Sequence, residues 1–251
     1  MTKLLYLQSP EAAYETTFEG RIVAVEGQTL VLDQTLFYPE GGGQPSDVGM
    51  LRWDGGAAPV VSVTKRGGVS HTIDAQELEG ALPTPQALAS GGVPMQGTID
   101  WQRRYALMRM HTSQHLVSGV AFDLLGARTV GNQLYPDRSR IDLAPARWDD
   151  VEVDRLLRTV NGAIAQGGAV TIGSVDRAQL EASADAARSN LELLPQSVRS
   201  LRMVRLGGWD VCPCAGTHVR DLSELRPVAL RGTTNKGKGR LRLEYAFRPA
   251  A

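Results

Sequence analysis

The sequence predicts an α+β protein with a small N-terminal β-barrel, followed by a domain in which an antiparallel sheet packs with long helices. Three observations lead to this prediction. Short β-branched segments separated by Gly and Pro turns occupy the first part of the chain, helical periodicity begins after residue 101, and a hairpin pattern closes the chain. The length of 251 residues suits two domains of ordinary size, which we place at residues 1–92 and 93–251.

The N-terminal domain is expected to consist of short strands joined by tight turns. Strands are predicted at residues 16–25, 28–32, 48–53, 60–64 and 69–73. Their regular spacing is typical of a barrel or a sandwich. Residues 81–92 are rich in Pro, Gly, Ala and Ser, and we interpret them as a linker.

The second domain alternates helices and strands. Helices are predicted at residues 102–125, from Asp149 or Asp150 to about Gln166, and as a short helix after Asp176. Strands are predicted at residues 96–101, 129–143 with a turn at 136–137, 169–175, 199–206, 228–233 and 240–247. Residues 207–217 are expected to form a loop.

Composition excludes several classes of protein. Hydrophobic residues make up 42% and charged residues 22% of the chain, which is ordinary for a soluble domain. No apolar run approaches the ~20 residues of a membrane helix, and the N-terminal apolar run is too short for a signal peptide. The two cysteines, Cys212 and Cys214, are separated by one proline and are too close for an easy disulfide. We expect a cytoplasmic protein with no membrane segment and no nucleotide cofactor.

Basic residues are concentrated near the C-terminus, although 27 basic and 27 acidic residues balance over the whole chain. Residues 199–248 contain eleven Lys or Arg and only four acidic residues. Such a patch attracts phosphate groups. The alternative is a solvated surface of a protein whose basic residues are mostly arginine.

Two pairs of metal-ligand residue types are the strongest chemical signal. His111 and His115 have the i,i+4 spacing that places both imidazoles on one face of a helix. Alone, this spacing is also common for two surface histidines. Cys214 and His218 add a thiolate and an imidazole in a loop bent by Gly and Pro, and both are preferred ligands of Zn²⁺. Together the pairs predict a metal site.

The segment around His111 and His115 also limits the type of bond that the site could hydrolyse. The segment between its histidines has no glutamate of the kind that metalloproteases use as a base, which argues against peptide hydrolysis. An ester is easier to cleave, because its alkoxide leaves without prior protonation of an amine. His71 has no partner motif and is interpreted as structural, and Cys212 is expected to be a neighbour of Cys214 rather than a ligand.

The two motifs resemble those of the editing domain of alanyl-tRNA synthetases and, more closely, of the free-standing alanyl-tRNA editing proteins (AlaX type). Residues 37–49 are similar to the glycine-rich motif of that family, and residues 140–143 to the strand after its metal helix. The resemblance extends from about residue 30 to residue 247. It implies a zinc-dependent aminoacyl-tRNA deacylase that hydrolyses tRNA(Ala) charged with serine, and in some members glycine, and so protects translation fidelity.

The resemblance also implies the zinc ligands, which are His111, His115, Cys214 and His218. Ala215 departs from the glycine that is common in the family at that position. Selecting serine over alanine requires a polar group that bonds the extra hydroxyl. Thr112 and Thr129 are therefore the candidate catalytic-site residues, and ordinary structural roles are the alternative for both.

Two further regions are candidates for binding RNA. Gly41, Gly42 and Gly43, followed by Gln44, form either a tight turn of the barrel or a nest of amides for a phosphate or the terminal ribose. The resemblance favours the second. The basic residues of the C-terminal hairpin are expected to hold the phosphates of the acceptor stem: Arg231, Lys236, Lys238, Arg240 and Arg242.

The predicted function is therefore editing of mischarged tRNA(Ala) in trans. Two alternatives stay open. The first is an RNA-binding module whose zinc is only structural, and the second is a zinc esterase for small molecules, which has no use for the basic hairpin.

Overall fold

The computed structural model describes residues 1–146, 148–189, 191 and 194–249. The chain forms two compact units, Met1–Tyr105 and Ala106–Ala251. The helices are α1 (Pro85–Ala89), α2 (Trp101–Leu125), α3 (Asp150–Gln166) and α4 (Arg177–Glu181). None of the helices in the described ranges is long and apolar enough to span a membrane.

Sixteen strands accompany these helices in the described residues. They are β1 (Lys3–Leu4), β2 (Thr17–Glu26), β3 (Thr29–Leu32), β4 (Gln34–Thr35), β5 (Gly49–Trp53), β6 (Gly56–Thr64), β7 (Ser70–Ile73), β8 (Glu79–Gly80), β9 (Val93–Ile99), β10 (Arg128–Leu134), β11 (Ser139–Ala144), β12 (Val170–Asp176), β13 (Ser200–Leu206), β14 (Asp210–Pro213), β15 (Val228–Asn235) and β16 (Leu241–Phe247).

The first unit is a closed six-stranded antiparallel barrel, as the sequence predicts. Its strands follow the order β5-β9-β2-β3-β7-β6, and pairing of β6 with β5 closes the ring. Buried and exposed residues alternate along β9, where Val93, Met95 and Ile99 are buried. The interior is one apolar cluster that includes Phe37 and Leu51.

Strand β9 lies between the domain division that the sequence predicts and the boundary between the two compact units. The sequence places the division after residue 92, but Val93–Ile99 pairs with β2 on one side and β5 on the other and so completes the barrel. The division found in the structure falls later, within helix α2. The predicted linker also contains the short helix α1, which begins with Pro85 and is capped by the Thr84 hydroxyl.

The second unit contains two antiparallel sheets. One has the order β10-β11-β16-β15 and the other the order β12-β13-β14. Helix α3 has the predicted ends: Asp149 and Glu152 form a reciprocal capping box, and Gly167 follows the last turn with φ of 71°. The prediction of a loop over residues 207–217 is wrong in part, because Asp210–Pro213 pairs with β13 as strand β14.

The barrel contains a buried ion pair that the sequence does not reveal. Arg104, which is 0% exposed, donates through Nε to Asp47 Oδ1 at 2.9 Å. Its two other nitrogens donate to the carbonyl oxygens of Ala13 and Leu36, and Asp47 also accepts the backbone N–H of Tyr38. The guanidinium therefore joins three separate segments of the first unit, and each charge has several hydrogen-bond partners.

Replacement of Arg104 by methionine is expected to destabilise the protein by about 3–5 kcal/mol, because it leaves the Asp47 carboxylate buried without a counter-charge. Urea unfolding of the full chain, followed by tryptophan fluorescence, measures the loss. Arg52→Met, at an exposed barrel position, is the matched control and should cost little. The double variant Arg104→Met/Asp47→Leu should regain part of the stability. A loss in Arg104→Met no larger than in the control would contradict this.

Candidate metal centre

Helix α2 positions the first pair of predicted ligands. His111 and His115 lie one turn apart, their ring centroids are 5.0 Å apart, and both are buried. Met110 and Leu116, which flank the two histidines on the same helix, are also nearly or fully buried. Both imidazoles therefore lie in the interior of the second unit, and the alternative of two surface histidines is wrong.

The loop after strand β14 brings the second pair to the first. Cys214 Sγ lies 3.5 Å from His111 Nε2 and 3.3 Å from His218 Nε2. The ring of His218 is centred 4.3 Å from that of His111 and 4.7 Å from that of His115. One donor atom from each of the four residues lies within 4.8 Å of the others, so this group could hold a metal ion.

The separations between donor atoms fit a tetrahedral metal. With Zn–S of about 2.3 Å and Zn–N of about 2.0–2.1 Å, the edge between a sulfur and a nitrogen ligand is about 3.6 Å. The observed distances of 3.5 and 3.3 Å from Cys214 Sγ to the two imidazole nitrogens are close to this value. Three imidazoles and one thiolate are also a donor set that zinc prefers.

The pKa shifts of Cys214 and His218 suit metal ligands, whereas that of His115 does not. Burial by itself would lower the pKa of His115, but Cys212 and Asp210 outweigh it and raise the pKa well above its ordinary value. Burial by itself would raise the pKa of the Cys214 thiol, but the interactions with His111 and His218 outweigh it and hold the pKa well below its ordinary value. Burial, aided by the charge of His111, lowers the pKa of His218 to about 3. A thiolate and a neutral imidazole are the forms that bind a metal.

Asp210 and Cys212 lie behind His115. Asp210 Oδ2 and Cys212 Sγ are each 3.1 Å from His115 Nδ1, and the Asp210 side chain is almost fully buried. A carboxylate at Nδ1 keeps a proton on that nitrogen and leaves Nε2 as the ligand atom. Burial raises the pKa of Cys212 to about 11, so it remains a thiol. These three residues form a second group of metal-ligand types that shares His115.

Thr112 lies behind a different ligand. It is fully buried, its Oγ1 is 3.2 Å from His218 Nδ1, and the same oxygen accepts the backbone N–H of Val219. The structure thus places Thr112 where it orients the His218 ring and the chain that follows. Thr112 thus contacts a candidate ligand, and the role in reading the substrate hydroxyl that the sequence suggests for it stays a prediction.

Two residues that the sequence analysis missed, Arg202 and Gly119, help to position the loop that carries Cys214 and His218. Arg202 Nη1 donates to the carbonyl oxygens of Cys214 and Gly216 at 2.6 and 3.1 Å, and Gly216 N–H points at Cys214 Sγ at 3.3 Å. On helix α2, a Cβ at Gly119 would lie 2.1 Å from the carbonyl oxygen of Trp209. A glycine inside an otherwise good helix is a sequence signal of close backbone approach, whereas nothing local marks Arg202.

The remaining candidates are distributed over both units. Thr129 lies on strand β10 of the second unit, with its Oγ1 2.7 Å from Ser118 Oγ on helix α2. His71 lies inside the barrel, where its ring nitrogens contact Thr35 Oγ1 and the Leu30 carbonyl oxygen, and burial lowers its pKa to about 4. It is a neutral structural histidine, in agreement with the prediction.

The glycine-rich segment is a tight turn of the first unit. Gly41 N–H donates to the Gln44 carbonyl and Gln44 N–H to that of Gly41, while Gly42 and Gly43 have φ of 60° and 83°. The Tyr38 hydroxyl donates to the Gly41 carbonyl as well. The amides of Gly41 and Gln44 are therefore engaged within the turn, and Gln44 is buried.

The basic hairpin residues fall into two groups. Arg231, Lys236, Lys238 and Arg240 are exposed on strand β15 and the turn that follows it. Arg242 instead forms a bidentate ion pair with Asp142, with N–O distances of 2.7 and 2.8 Å. The hydrogen bonds from Arg242 lower the pKa of Asp142. Arg242 thus differs from the other four in having its charge paired across the sheet.

Parts of both units, including the segment that holds Cys214 and His218, match domains of tRNA synthetases. Two family models agree: "tRNA synthetases class II (A)" matches residues 10–85, and "Threonyl and Alanyl tRNA synthetase second additional domain" matches residues 201–244.

Comparison with full-length proteins identifies the family of this chain. Alanyl-tRNA editing protein AlaX-M of Methanosarcina barkeri is 34% identical over 98% of this chain and 99% of its own length. The AlaX-M protein of Saccharolobus solfataricus is 32% identical over 99% of this chain and 100% of its own length. Alanine–tRNA ligase of Pyrococcus abyssi is 33% identical over 100% of this chain but only 26% of its own length. The chain belongs to the alanyl-tRNA editing proteins of the AlaX-M type.

Purified protein is expected to bind about one zinc ion per chain, and His115→Ala should lose most of it, because it removes a ligand. Asp210→Ala should keep the ligand but lower zinc affinity by about 10–100-fold, since the proton on His115 Nδ1 is no longer fixed. Elemental analysis and competition with a chromophoric chelator measure both effects.

The matched control for zinc binding is Asp154→Ala, which removes an exposed carboxylate from helix α3. It should bind zinc like the wild type. Wild-type protein without zinc after expression in zinc-supplemented medium, or equal affinities of Asp210→Ala and Asp154→Ala, would contradict the assignment.

Proposed function

We propose that this protein hydrolyses the ester bond of tRNA(Ala) wrongly charged with serine, in trans and with zinc at the His/Cys centre. Family membership over the whole chain supports editing of alanyl-tRNA. The observation that supports hydrolysis at this centre is the convergence of three imidazoles and a thiolate, all with donor atoms within 4.8 Å.

In the proposed reaction, the metal and the residues that hold it have different roles. Zinc, when bound by His111, His115, Cys214 and His218, supplies a Lewis acid that polarises the ester carbonyl. Asp210 and Thr112 hold the imidazole rings from behind, at 3.1 and 3.2 Å. Such fixed ligands need no rearrangement when charge develops during the reaction.

The segment between the helical histidines supports an ester as the substrate. Thr112, Ser113 and Gln114 are buried, and none of them is a carboxylate. Ser113 Oγ lies 3.1 Å from the Tyr245 hydroxyl, and burial raises the pKa of Tyr245 to about 12. This segment therefore offers no strong base near neutral pH. The ribose alkoxide of an ester leaves more readily than the amine of a peptide, which must first be protonated.

The exposed part of the basic hairpin supports tRNA as the partner. Four cationic side chains stand on strand β15 and its turn, and they are Arg231, Lys236, Lys238 and Arg240. Exposed cations of this kind contact phosphates without reading sequence. Their position is separate from the four ligands, so binding and hydrolysis can be tested with different variants.

The main test is deacylation of Ser-tRNA(Ala) beside Ala-tRNA(Ala), with and without a chelator. Wild-type protein should hydrolyse the serine ester faster, chelation should abolish the activity, and added zinc should restore it. His115→Ala should be inactive, while Asp154→Ala should match the wild type.

Each alternative function has its own outcome in this assay. A folded, zinc-containing protein that binds tRNA but hydrolyses neither ester would be an RNA-binding module with a structural metal. A protein that hydrolyses small serine esters as efficiently as charged tRNA would be a small-molecule esterase. Either result would overturn the proposal.

Removal of two exposed lysines should weaken binding of tRNA without changing hydrolysis. Lys236→Ala with Lys238→Ala is expected to raise the KM for charged tRNA at moderate salt, leave kcat and zinc content nearly intact, and flatten the salt dependence by about one unit of slope per lost phosphate contact.

Steady-state kinetics at several salt concentrations measure these changes. The matched control, Arg155→Ala with Arg158→Ala, removes two exposed charges from helix α3. If the lysine variant and this control have the same KM and salt slope as the wild type, the hairpin is only a solvated surface.

A further inference from the structure

Arg202 on strand β13 binds both backbone polar groups of the candidate ligand Cys214. The Cys214 N–H donates to the Arg202 carbonyl oxygen at 3.0 Å, and Arg202 Nη1 donates to the Cys214 carbonyl oxygen at 2.6 Å. Strand β13 also pairs with β14, which ends at Pro213, immediately before the cysteine. One residue of the neighbouring strand therefore holds the Cys214 backbone at its N–H and at its carbonyl.

The same guanidinium nitrogen also binds a second carbonyl of the loop. Arg202 Nη1 donates to the Gly216 carbonyl oxygen at 3.1 Å. This nitrogen carries two N–H groups, so each of the two carbonyls can receive one of them. With the carbonyls of Cys214 and Gly216 held by one nitrogen, the planar peptide units between them have little freedom to rotate.

One of these peptide units carries an N–H group that faces the ligand atom. Gly216 is buried, and its N–H donates to Cys214 Sγ at 3.3 Å. A hydrogen bond to a metal-bound thiolate withdraws electron density from the sulfur, and hydrogen bonds of this kind tune thiolate–metal centres. The loop therefore influences the donor strength of the sulfur as well as its position.

We propose that Arg202 is a positioning residue of the metal centre: by holding the carbonyls of Cys214 and Gly216, it keeps the Gly216 N–H on the thiolate and so lowers the electron donation of the sulfur to the metal. This inference rests on the proposed function, because it concerns the same centre. A thiolate that donates less leaves a stronger Lewis acid for polarising the ester carbonyl. Arg202 exerts this effect through the backbone of the loop.

A purely structural role for Arg202 makes different predictions. Loss of a structural anchor would lower the unfolding temperature and could weaken metal binding, but it would leave the electronic properties of the sulfur unchanged in folded, metal-loaded protein. The positioning role instead requires changes at the sulfur itself. Two measurements report on the sulfur directly: the energy of the sulfur-to-metal charge-transfer band and the rate at which the thiolate is alkylated.

The test uses the full chain with saturating Co²⁺, a coloured substitute for zinc, or with saturating Zn²⁺. In Arg202→Ala the sulfur-to-cobalt charge-transfer band should move to lower energy, because the thiolate loses a hydrogen bond. Cys214, which is half-buried, should react with iodoacetamide several-fold faster in the zinc-loaded variant. Tandem mass spectrometry distinguishes its alkylation from that of Cys212. Zinc affinity should fall by about 10–100-fold.

A conservative variant and a matched control accompany this measurement. Arg202→Lys keeps a charged nitrogen with three N–H groups and should restore most of the wild-type spectrum and alkylation rate. Arg205→Ala removes an exposed arginine of the same strand, whose partner is Asp185, and should match the wild type in every readout. Circular dichroism establishes that each variant is folded.

The outcomes separate this inference from the proposed function. A band energy and an alkylation rate in Arg202→Ala equal to those of Arg205→Ala would overturn the positioning role, even where stability or affinity falls, and would leave the deacylase function standing. Arg202→Met, which keeps the apolar stem and removes every donor, replaces Arg202→Ala if the latter is unfolded, with the same expectations. Because no readout needs hydrolysis, the role of Arg202 is decided independently of the deacylation assay. Wild-type protein that binds neither Co²⁺ nor Zn²⁺ would overturn both.

Discussion

The candidate metal centre depends on how closely the backbone before strand β14 approaches helix α2. At Gly119 a side chain would meet the Trp209 carbonyl oxygen at 2.1 Å, so a larger residue cannot occupy this position unless the two elements move apart. This contact places Asp210 and Cys212 directly behind His115. The chain then reaches Cys214, whose sulfur meets the imidazole of His111. The absence of a side chain at Gly119 thus allows the short distance between the helix and the ligand loop.

The ligands are held by groups that are not themselves in the four-residue set. Asp210 contacts His115, Thr112 contacts His218, and Arg202 binds the loop carbonyls on either side of Ala215. These contacts restrict each ring and the loop before any metal binds. Restricted ligands lose less conformational entropy on binding, which raises affinity and fixes geometry. The departure from glycine at Ala215 leaves this arrangement intact, because Arg202 contacts backbone atoms of its neighbours.

Burial distinguishes the candidate metal centre from the cations of the C-terminal hairpin. The four ligands and their supporting groups are largely buried, where electrostatic interactions are strong. The free cations of the hairpin are exposed, where they are screened by salt but can reach phosphates. The ion pair of Arg242 with Asp142 shows that a basic residue of the same hairpin can instead stabilise the sheet. The number of Lys and Arg residues in this part of the sequence is therefore larger than the number of cations available to a polyanion.

Local signals in the sequence determined much of this protein. Alternating strands predicted the barrel, Asp149 and Gly167 marked the ends of helix α3, and the i,i+4 spacings of His111–His115 and Cys214–His218 predicted two ligand pairs. These signals act over a few residues, where backbone geometry alone relates the side chains. Only the tertiary structure decided that β9 completes the barrel, that Asp210–Pro213 is a strand, that Thr112 supports His218, and that Arg202 binds the carbonyls of Cys214 and Gly216. Each of these depends on contacts between segments distant in the chain, and neither spacing nor composition encodes which segments meet.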